Sequence, residues 1–141
     1  GGGTGYAPLR AMLRQLIATG DRRPVTLYWG GRSEADLYEH AWLARLESER
    51  PGFAYRPVLS GPQSPDATGG AVRRGLVHEA VIADHPDLAG FDVYASGPPA
   101  MIEAIRTEFA RHGLPRVQLF FVSFDYAPDT LSRMKSAAAV L

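Results

Sequence analysis

Apolar residues recur along the chain with two different spacings. Five of them near the start lie three or four positions apart: Leu9, Met12, Leu13, Leu16 and Ile17. This spacing predicts a helix with one buried face, ended by Gly20. The run 25–29 is short, β-branched and aromatic, and predicts a buried strand. Helical spacing returns in 34–50, 74–84 and 101–109, and strand patterns return in 53–60, 91–95 and 117–121.

This alternation of helices and strands, joined by short connections, predicts an α/β fold built from βαβ units. We expect a doubly wound, mostly parallel sheet with helices on both faces. Pro57 favours an edge position for the strand 53–60. Four strands lie within the chain, but the glycine-rich turn at its start has no strand before it. We therefore expect a five-stranded sheet whose first strand precedes Gly1 in a longer protein.

The chain is long enough for one domain, with the loop-rich stretch 61–70 inside it. We assign residues 1–127 to that domain and residues 128–141 to a carboxyl-terminal tail. The stretch 131–141 fits either a terminal helix or a frayed end.

Composition removes several functional classes. The formal net charge is zero, so nothing indicates a nucleic-acid partner. An apolar run of eighteen residues and a charged-then-apolar leader are both absent, so we expect a cytoplasmic protein without a membrane partner. The absence of cysteine excludes disulfides, thiolate metal sites and a cysteine nucleophile within the chain. The four histidines have no metal-ligand spacing, so we expect no metal site.

Three turns are candidates for the chemistry, because ligands of open α/β sheets bind beyond the carboxyl ends of the strands. They are Gly2–Pro8, Gly30–Glu34 and Ala95–Met101, and each opens a helix. The first places four glycines within five residues, which suits a phosphate cradle at a helix start. Gly1 alone is equally well explained as a residue left by cloning, and Gly30-Gly31 alone as an ordinary tight turn.

The second turn bears on the choice of nucleotide. Arg32 follows a strand at the place where a dinucleotide site meets the adenosine ribose, and an arginine there can pair with a 2′-phosphate. Glu34 and Asp36 could accept hydrogen bonds from ribose hydroxyls, or could serve only as helix-capping charges. The residues lean toward NADPH and leave NADH open.

Four segments together resemble a known family. They are Gly2 to Pro8, Tyr28-Trp29-Gly30-Gly31-Arg32 with Asp36-Leu37-Tyr38, Tyr94 to Met101, and Phe120 to Tyr126. In order and spacing they are similar to the nicotinamide-nucleotide-binding domain of the ferredoxin–NADP reductase superfamily. Within it, they look closest to bacterial NAD(P)H–flavin reductases and to the reductase components of oxygenases and of the 6-deoxy-glucoseen type.

The resemblance implies that an amino-terminal β-barrel holds FAD or FMN while this domain delivers NADH or NADPH. Hydride passes from nicotinamide C4 to flavin N5, and electrons continue to an acceptor, sometimes a [2Fe–2S] domain. It implies cofactor-binding roles for Gly2, Gly3, Thr4, Gly5, Pro8, Gly31, Arg32, Ser96, Gly97, Pro98 and Met101. It places Ser96 and Phe124 at the hydride-transfer site, with Ser96 standing where many relatives have cysteine and with Phe124 or Tyr126 near the flavin.

The resemblance also implies that the isolated chain is inactive, because the flavin domain lies elsewhere. Two alternatives remain. One is a module that binds a nucleotide without hydride transfer, and the other is a Rossmann-like transferase that uses the glycine turn for another diphosphate.

Overall fold

The computed structural model describes residues 1–62 and 72–124. Its helices are α1 (Tyr6–Ala18), α2 (His40–Glu49), α3 (Val77–Asp84) and α4 (Pro99–Arg111). Its strands are β1 (Val25–Gly31), β2 (Phe53–Leu59), β3 (Arg73–Arg74), β4 (Val93–Gly97) and β5 (Leu119–Ser123). Single 3₁₀ turns occupy Gly3–Gly5, Glu34–Asp36 and Arg116–Gln118. The boundary at residue 127 and the tail lie outside the described residues.

Every strand pairing is parallel, which confirms the α/β class. The strands form two sheets, β1–β2–β3 and β4–β5, so the expected single five-stranded sheet is not confirmed. The edge position that Pro57 favoured is wrong for β2 as a whole, because β2 lies between β1 and β3. Within the described residues β3 pairs only with Val58 and Leu59, so Pro57 itself needs no N–H for a partner on that side.

A two-residue segment at the start of the chain connects the two sheets. Gly2 forms a parallel bridge with Gly30 of β1, and the Gly30 amide donates to the carbonyl oxygen of Gly1 at 2.8 Å. On the other side, the Gly2 amide donates to the carbonyl oxygen of Ser96 in β4 at 3.0 Å. These hydrogen bonds place Gly1-Gly2 between β1 and β4, where they hold the glycine turn at the carboxyl edge of both sheets.

Three clusters of buried side chains form the core. The largest packs α1 and α2 against β1 and β2, and it includes Tyr6, Trp29 and Leu43. A second cluster packs α3 on the opposite face, against Tyr28 and Val58. The third packs α4 against β4 around Ile105 and Phe109. Helices thus lie on both faces of the β1–β2 pair, as the doubly wound pattern predicted.

Two local expectations are wrong. The helix expected at 34–50 begins only at His40, because Asp36 closes a separate turn and the backbone leaves helical geometry at Leu37. In α1, Met12 and Ile17 are 43% and 38% exposed rather than buried. Within the described residues, the core therefore buries only part of the apolar face of α1.

Candidate nucleotide-binding site

The glycine turn is shaped to accept an anion. Gly3 has φ of +53°, a conformation that glycine adopts without the steric penalty of a Cβ. Gly3 and Thr4 are exposed, and within the described residues their amide N–H groups have no recorded backbone acceptor. Helix α1 begins two residues later, so its positive end lies at the same place. Pro8 lies in the first turn of that helix, where its missing N–H has no consequence.

The other glycines of the turn allow close backbone packing against β4 and α4. A Cβ on Gly5 would lie 2.2 Å from the carbonyl oxygen of Ser96, and a Cβ on Gly2 would lie 2.6 Å from Sδ of Met101. A Cβ on Gly3 would meet no heavy atom within 4 Å. The packed side of the turn is therefore filled by protein and the Gly3 side is open. This arrangement fits a pyrophosphate held by backbone N–H groups.

The third predicted turn adjoins the first. Gly97 and Pro98 at the end of β4 contact the glycine turn and Met101, where a Cβ on Gly97 would lie 2.4 Å from the methionine Cε. The amide of Phe124 donates to the carbonyl oxygen of Gly97 at 3.0 Å, and this phenylalanine is 43% exposed. The structure thus brings Phe124 into contact with the Gly97-Pro98 turn, and both belong to the predicted nicotinamide side.

Ser96 is placed differently from Phe124. Its residue is 1% exposed, and its Oγ is buried without a hydrogen-bond partner among the described residues. A serine in this position contacts the glycine turn through its backbone carbonyl rather than through its hydroxyl. Its assignment to hydride transfer stays a prediction.

The second turn is closed by Asp36. One carboxylate oxygen of Asp36 accepts the backbone N–H groups of Arg32 at 2.8 Å and Ser33 at 2.9 Å. The hydrogen bonds from the Ser33 amide and then from the Arg32 amide hold the pKa of Asp36 below its usual value. Gly31 is the last residue of β1, and a Cβ there would lie 3.0 Å from Cβ of Asp36. Asp36 thus orders the turn from which the Arg32 side chain projects.

An aromatic cluster behind the glycine turn was not anticipated as part of the site. Trp29 is fully buried, and its Nε1–H donates to the carbonyl oxygen of Gly3 at 3.1 Å. Tyr6 stacks on the indole with ring centroids 3.9 Å apart, and Tyr38 meets it edge-on at 5.0 Å. The sequence signal for this contact was available, because a buried tryptophan N–H requires an acceptor.

Other features of the described residues lie away from these turns. A groove lined by Ile17, Arg22, Leu46 and Gly52 opens at the amino edge of β1 and β2, on the side opposite the three turns. Among residues 1–62 and 72–124 there is no group of three side chains suited to hold a metal ion. In the same ranges no helix is long and apolar enough to cross a membrane.

The chain belongs to the oxidoreductase NAD-binding domain family, whose model matches residues 1–107. This membership confirms the resemblance to the nicotinamide-nucleotide-binding domain of the ferredoxin–NADP reductase superfamily. The assignment of the three turns to the nucleotide stays a prediction.

The chain is similar to two named proteins, a reductase and a reductase component. The chain is 40% identical over 126 residues to the CDP-6-deoxy-L-threo-D-glycero-4-hexulose-3-dehydrase reductase of Yersinia pestis, covering 87% of this chain and 36% of that protein. It is 38% identical over 115 residues to the ferredoxin–NAD(P)(+) reductase component of the naphthalene 1,2-dioxygenase/salicylate 5-hydroxylase systems of a Ralstonia species, covering 81% and 34%.

The solved structure of a reductase is also similar to this chain. The cytochrome P450 reductase GcoB of Amycolatopsis matches with a TM-score of 0.76 and 38% identity over 88% of this chain and 36% of that one. The chain therefore spans about a third of the length of the relatives it matches.

Proposed function

We propose that this chain is the NAD(P)H-binding domain of a flavin-dependent reductase and presents the nicotinamide to FAD or FMN held by an amino-terminal domain. One observation carries the proposal: the glycine turn, the Gly97-Pro98 turn and Phe124 are in direct contact at the carboxyl edge of the two sheets. A dinucleotide has its pyrophosphate between its two nucleosides, and this arrangement offers an anion cradle with a turn on each side.

The chain's own residues act by binding and orientation. The N–H groups of Gly3 and Thr4 hold the pyrophosphate, and Pro98 and Met101 line the nicotinamide side. Phe124 lies at the boundary where the flavin domain would meet this one. A bound nicotinamide would supply the hydride and a bound flavin would accept it, so none of these residues would have to transfer a proton.

The contacts of Gly1-Gly2 support a further strand in the complete protein. This short segment already pairs in parallel with β1 and donates to β4, as the last residues of a strand between them would. A strand continuing into that position would join the two sheets into one, in the order β3–β2–β1–new strand–β4–β5. It would also supply the strand that precedes the glycine turn in dinucleotide-binding folds.

Arg32 is the residue we propose for the choice between NADH and NADPH. Its backbone is held by Asp36, and no ion pair of its side chain is recorded among the described residues. A guanidinium at the end of β1 suits a 2′-phosphate. One oxygen of Asp36 is already used by backbone amides, which weakens its claim as a ribose acceptor.

The names of the relatives support a proposal for the electron acceptor. One of them is named as a ferredoxin reductase component and another as a reductase of a hexulose dehydrase. We propose that electrons pass from the flavin to an iron–sulfur centre or a comparable acceptor protein.

Anaerobic titration of the full-length protein tests the proposal. We expect NADH or NADPH to bleach the flavin absorbance, with one reduced flavin formed for each nucleotide oxidised. The isolated chain is expected to bind the nucleotide without reductase activity. Saturable nucleotide binding by the full-length protein without any bleaching would instead identify a binding module, and selective binding of a sugar nucleotide would indicate a transferase.

A further inference from the structure

Trp29 contacts the glycine turn at the Gly3–Thr4 peptide. The orientation of this peptide decides whether its C=O or its N–H faces the exposed side of the turn. Its indole N–H donates to the carbonyl oxygen of Gly3. That oxygen belongs to the same peptide unit as the N–H of Thr4. Because the peptide is planar and trans, its C=O and N–H point in opposite directions. A hydrogen bond that holds the carbonyl toward the core therefore directs the Thr4 N–H away from it, toward the exposed side of the turn.

This peptide unit needs such a constraint. Gly3 has positive φ and no neighbour within 4 Å of the position of a Cβ, so side-chain sterics do not restrict its rotation. The amide of Tyr6 also donates to the Gly3 carbonyl, but that contact lies within the same short turn. The indole comes from β1, a different element of the fold, and so fixes the turn relative to the sheet.

The indole is itself held in place. Trp29 and Tyr6 are both fully buried and stack with an interplanar angle of 17°. The Tyr6 hydroxyl donates to Glu39 at 2.6 Å, and Glu39 pairs with Arg10 at 2.6 Å. The aromatic pair is thus anchored to the start of α2 and to the exposed side of α1, and the indole has little freedom to withdraw from Gly3.

We infer that Trp29 is a positioning residue of the nucleotide site: its indole N–H orients the Gly3–Thr4 peptide so that the Thr4 N–H faces the pyrophosphate. This inference rests on the proposed function, since it assigns the part of the nucleotide that the turn binds. It predicts that loss of the indole N–H weakens nucleotide binding and leaves the rate of hydride transfer at saturation unchanged.

The sharpest test replaces Trp29 in the full-length protein with benzothienylalanine, which keeps the shape of the side chain and lacks the N–H. The dissociation constant for ADP-ribose, which carries the pyrophosphate without nicotinamide, is measured by calorimetry. A neutral hydrogen bond corresponds to about a fivefold to tenfold loss of affinity. The limiting rate of flavin reduction by the nucleotide is expected to stay within about twofold of the wild-type rate.

The same replacement at Trp42 is the matched control. Trp42 is the second tryptophan of the chain and lies against Arg14, away from the glycine turn. We expect it to leave ADP-ribose affinity unchanged. The Thr4 amide resonance supplies a direct readout: ADP-ribose should shift it strongly in the wild type and weakly in the Trp29 analogue.

Two outcomes would overturn the inference, and they are distinguishable. If the wild type binds ADP-ribose and the Trp29 analogue binds it equally well with the same Thr4 shift, the indole serves the core alone. If the wild type itself binds neither ADP-ribose nor a nicotinamide nucleotide, the proposed function fails and the inference fails with it. Trp29→Phe, compared by thermal unfolding and by ADP-ribose affinity, repeats the test with natural residues.

Discussion

The two sheets of this protein differ in how completely their faces are covered. Helices α1 and α2 bury one face of the β1–β2 pair, and α3 packs on the other. In the β4–β5 pair, α4 buries one face. On the opposite face of that pair, Tyr94, Phe120 and Val122 remain between 46% and 48% exposed, with the rings of Tyr94 and Phe120 stacked at 4.9 Å.

The two regions therefore differ both in the core that stabilises them and in the residues that they contribute to the candidate site. The β1–β2 region has a closed core, and its carboxyl edge carries Arg32. The β4–β5 region is less covered in the described residues, and its carboxyl edge carries Gly97 and Phe124. Gly1-Gly2 and Gly5 form the contact between the two regions, so the candidate site depends on their being held together.

The largest effect is expected where the regions meet. Gly5→Ala would place a Cβ 2.2 Å from the Ser96 carbonyl oxygen, which is backbone and cannot rotate away. The clash should push α1 away from β4. We expect this separation to lower the free energy of unfolding by more than about 3 kcal/mol and to abolish nucleotide binding. Urea denaturation measures the first effect and calorimetry the second.

Gly90→Ala is the control for that substitution. A Cβ on Gly90 meets no heavy atom within 4 Å, and its φ is not positive, so the change should be nearly neutral. Equal stability of the two variants would show that the contact between Gly5 and β4 is not tight in solution.

The next effect compares the two regions directly. Leu43 is fully buried between α2 and the β1–β2 pair, so Leu43→Ala should lower the free energy of unfolding by about 3 kcal/mol. Phe120 loses fewer buried contacts because it is 47% exposed, and Phe120→Ala should lower the same quantity by less than about 1 kcal/mol. Chemical denaturation of the 141-residue chain measures both, and a reversed order would contradict the assignment of the closed core to β1–β2.

A smaller effect is expected for Arg32, at the carboxyl edge of the β1–β2 region. Arg32→Ala should weaken NADPH binding about tenfold, because the 2′-phosphate loses its counter-charge, and should change NADH binding by less than about twofold. Calorimetry with both nucleotides measures the ratio. Equal losses for the two would indicate that Arg32 supports the turn rather than the phosphate. Arg45→Ala, on the exposed side of α2, is a charge-matched control.

The smallest effect concerns the attachment of α3 to the first region. Asp84 accepts hydrogen bonds from Arg73 at 2.6 Å and from the Tyr28 hydroxyl at 2.7 Å, and these donors lower its pKa below the usual value. The native state therefore favours the carboxylate, and this contribution is present at neutral pH and is lost as the pH falls through the lowered pKa.

Asp84→Asn should consequently lower the free energy of unfolding at pH 7 by less than about 1 kcal/mol, since the pair is partly solvated. At a pH below that lowered pKa the difference from the wild type should diminish. Denaturation curves of the wild type and the variant, at pH 7 and at the lower pH, measure this difference in the free energy of unfolding. A difference that does not change with pH would assign the effect to packing of the Asp84 side chain and not to its charge.

Local patterns predicted much of the fold. Helical spacing located α1 and α4, and short β-branched or aromatic runs located β1 and β2 within a few residues. The glycine, proline and serine residues of the three turns also led to the candidate site, whose assignment to the nucleotide stays a prediction. The helix expected at 34–50 was partly wrong, because Asp36 uses its carboxylate on nearby backbone amides, and helical periodicity carries no information about such a side-chain contact.

By itself, the sequence determined the α/β class, the order of helices and strands, and the family, since these depend on residue type and on spacing along the chain. The tertiary structure decided that the strands form two sheets, that Gly5 must accommodate a carbonyl oxygen, and that the Ser96 hydroxyl is buried. It also decided that Trp29 reaches Gly3. Each of these is a contact between residues far apart in the chain, and such contacts exist only once the elements have packed together.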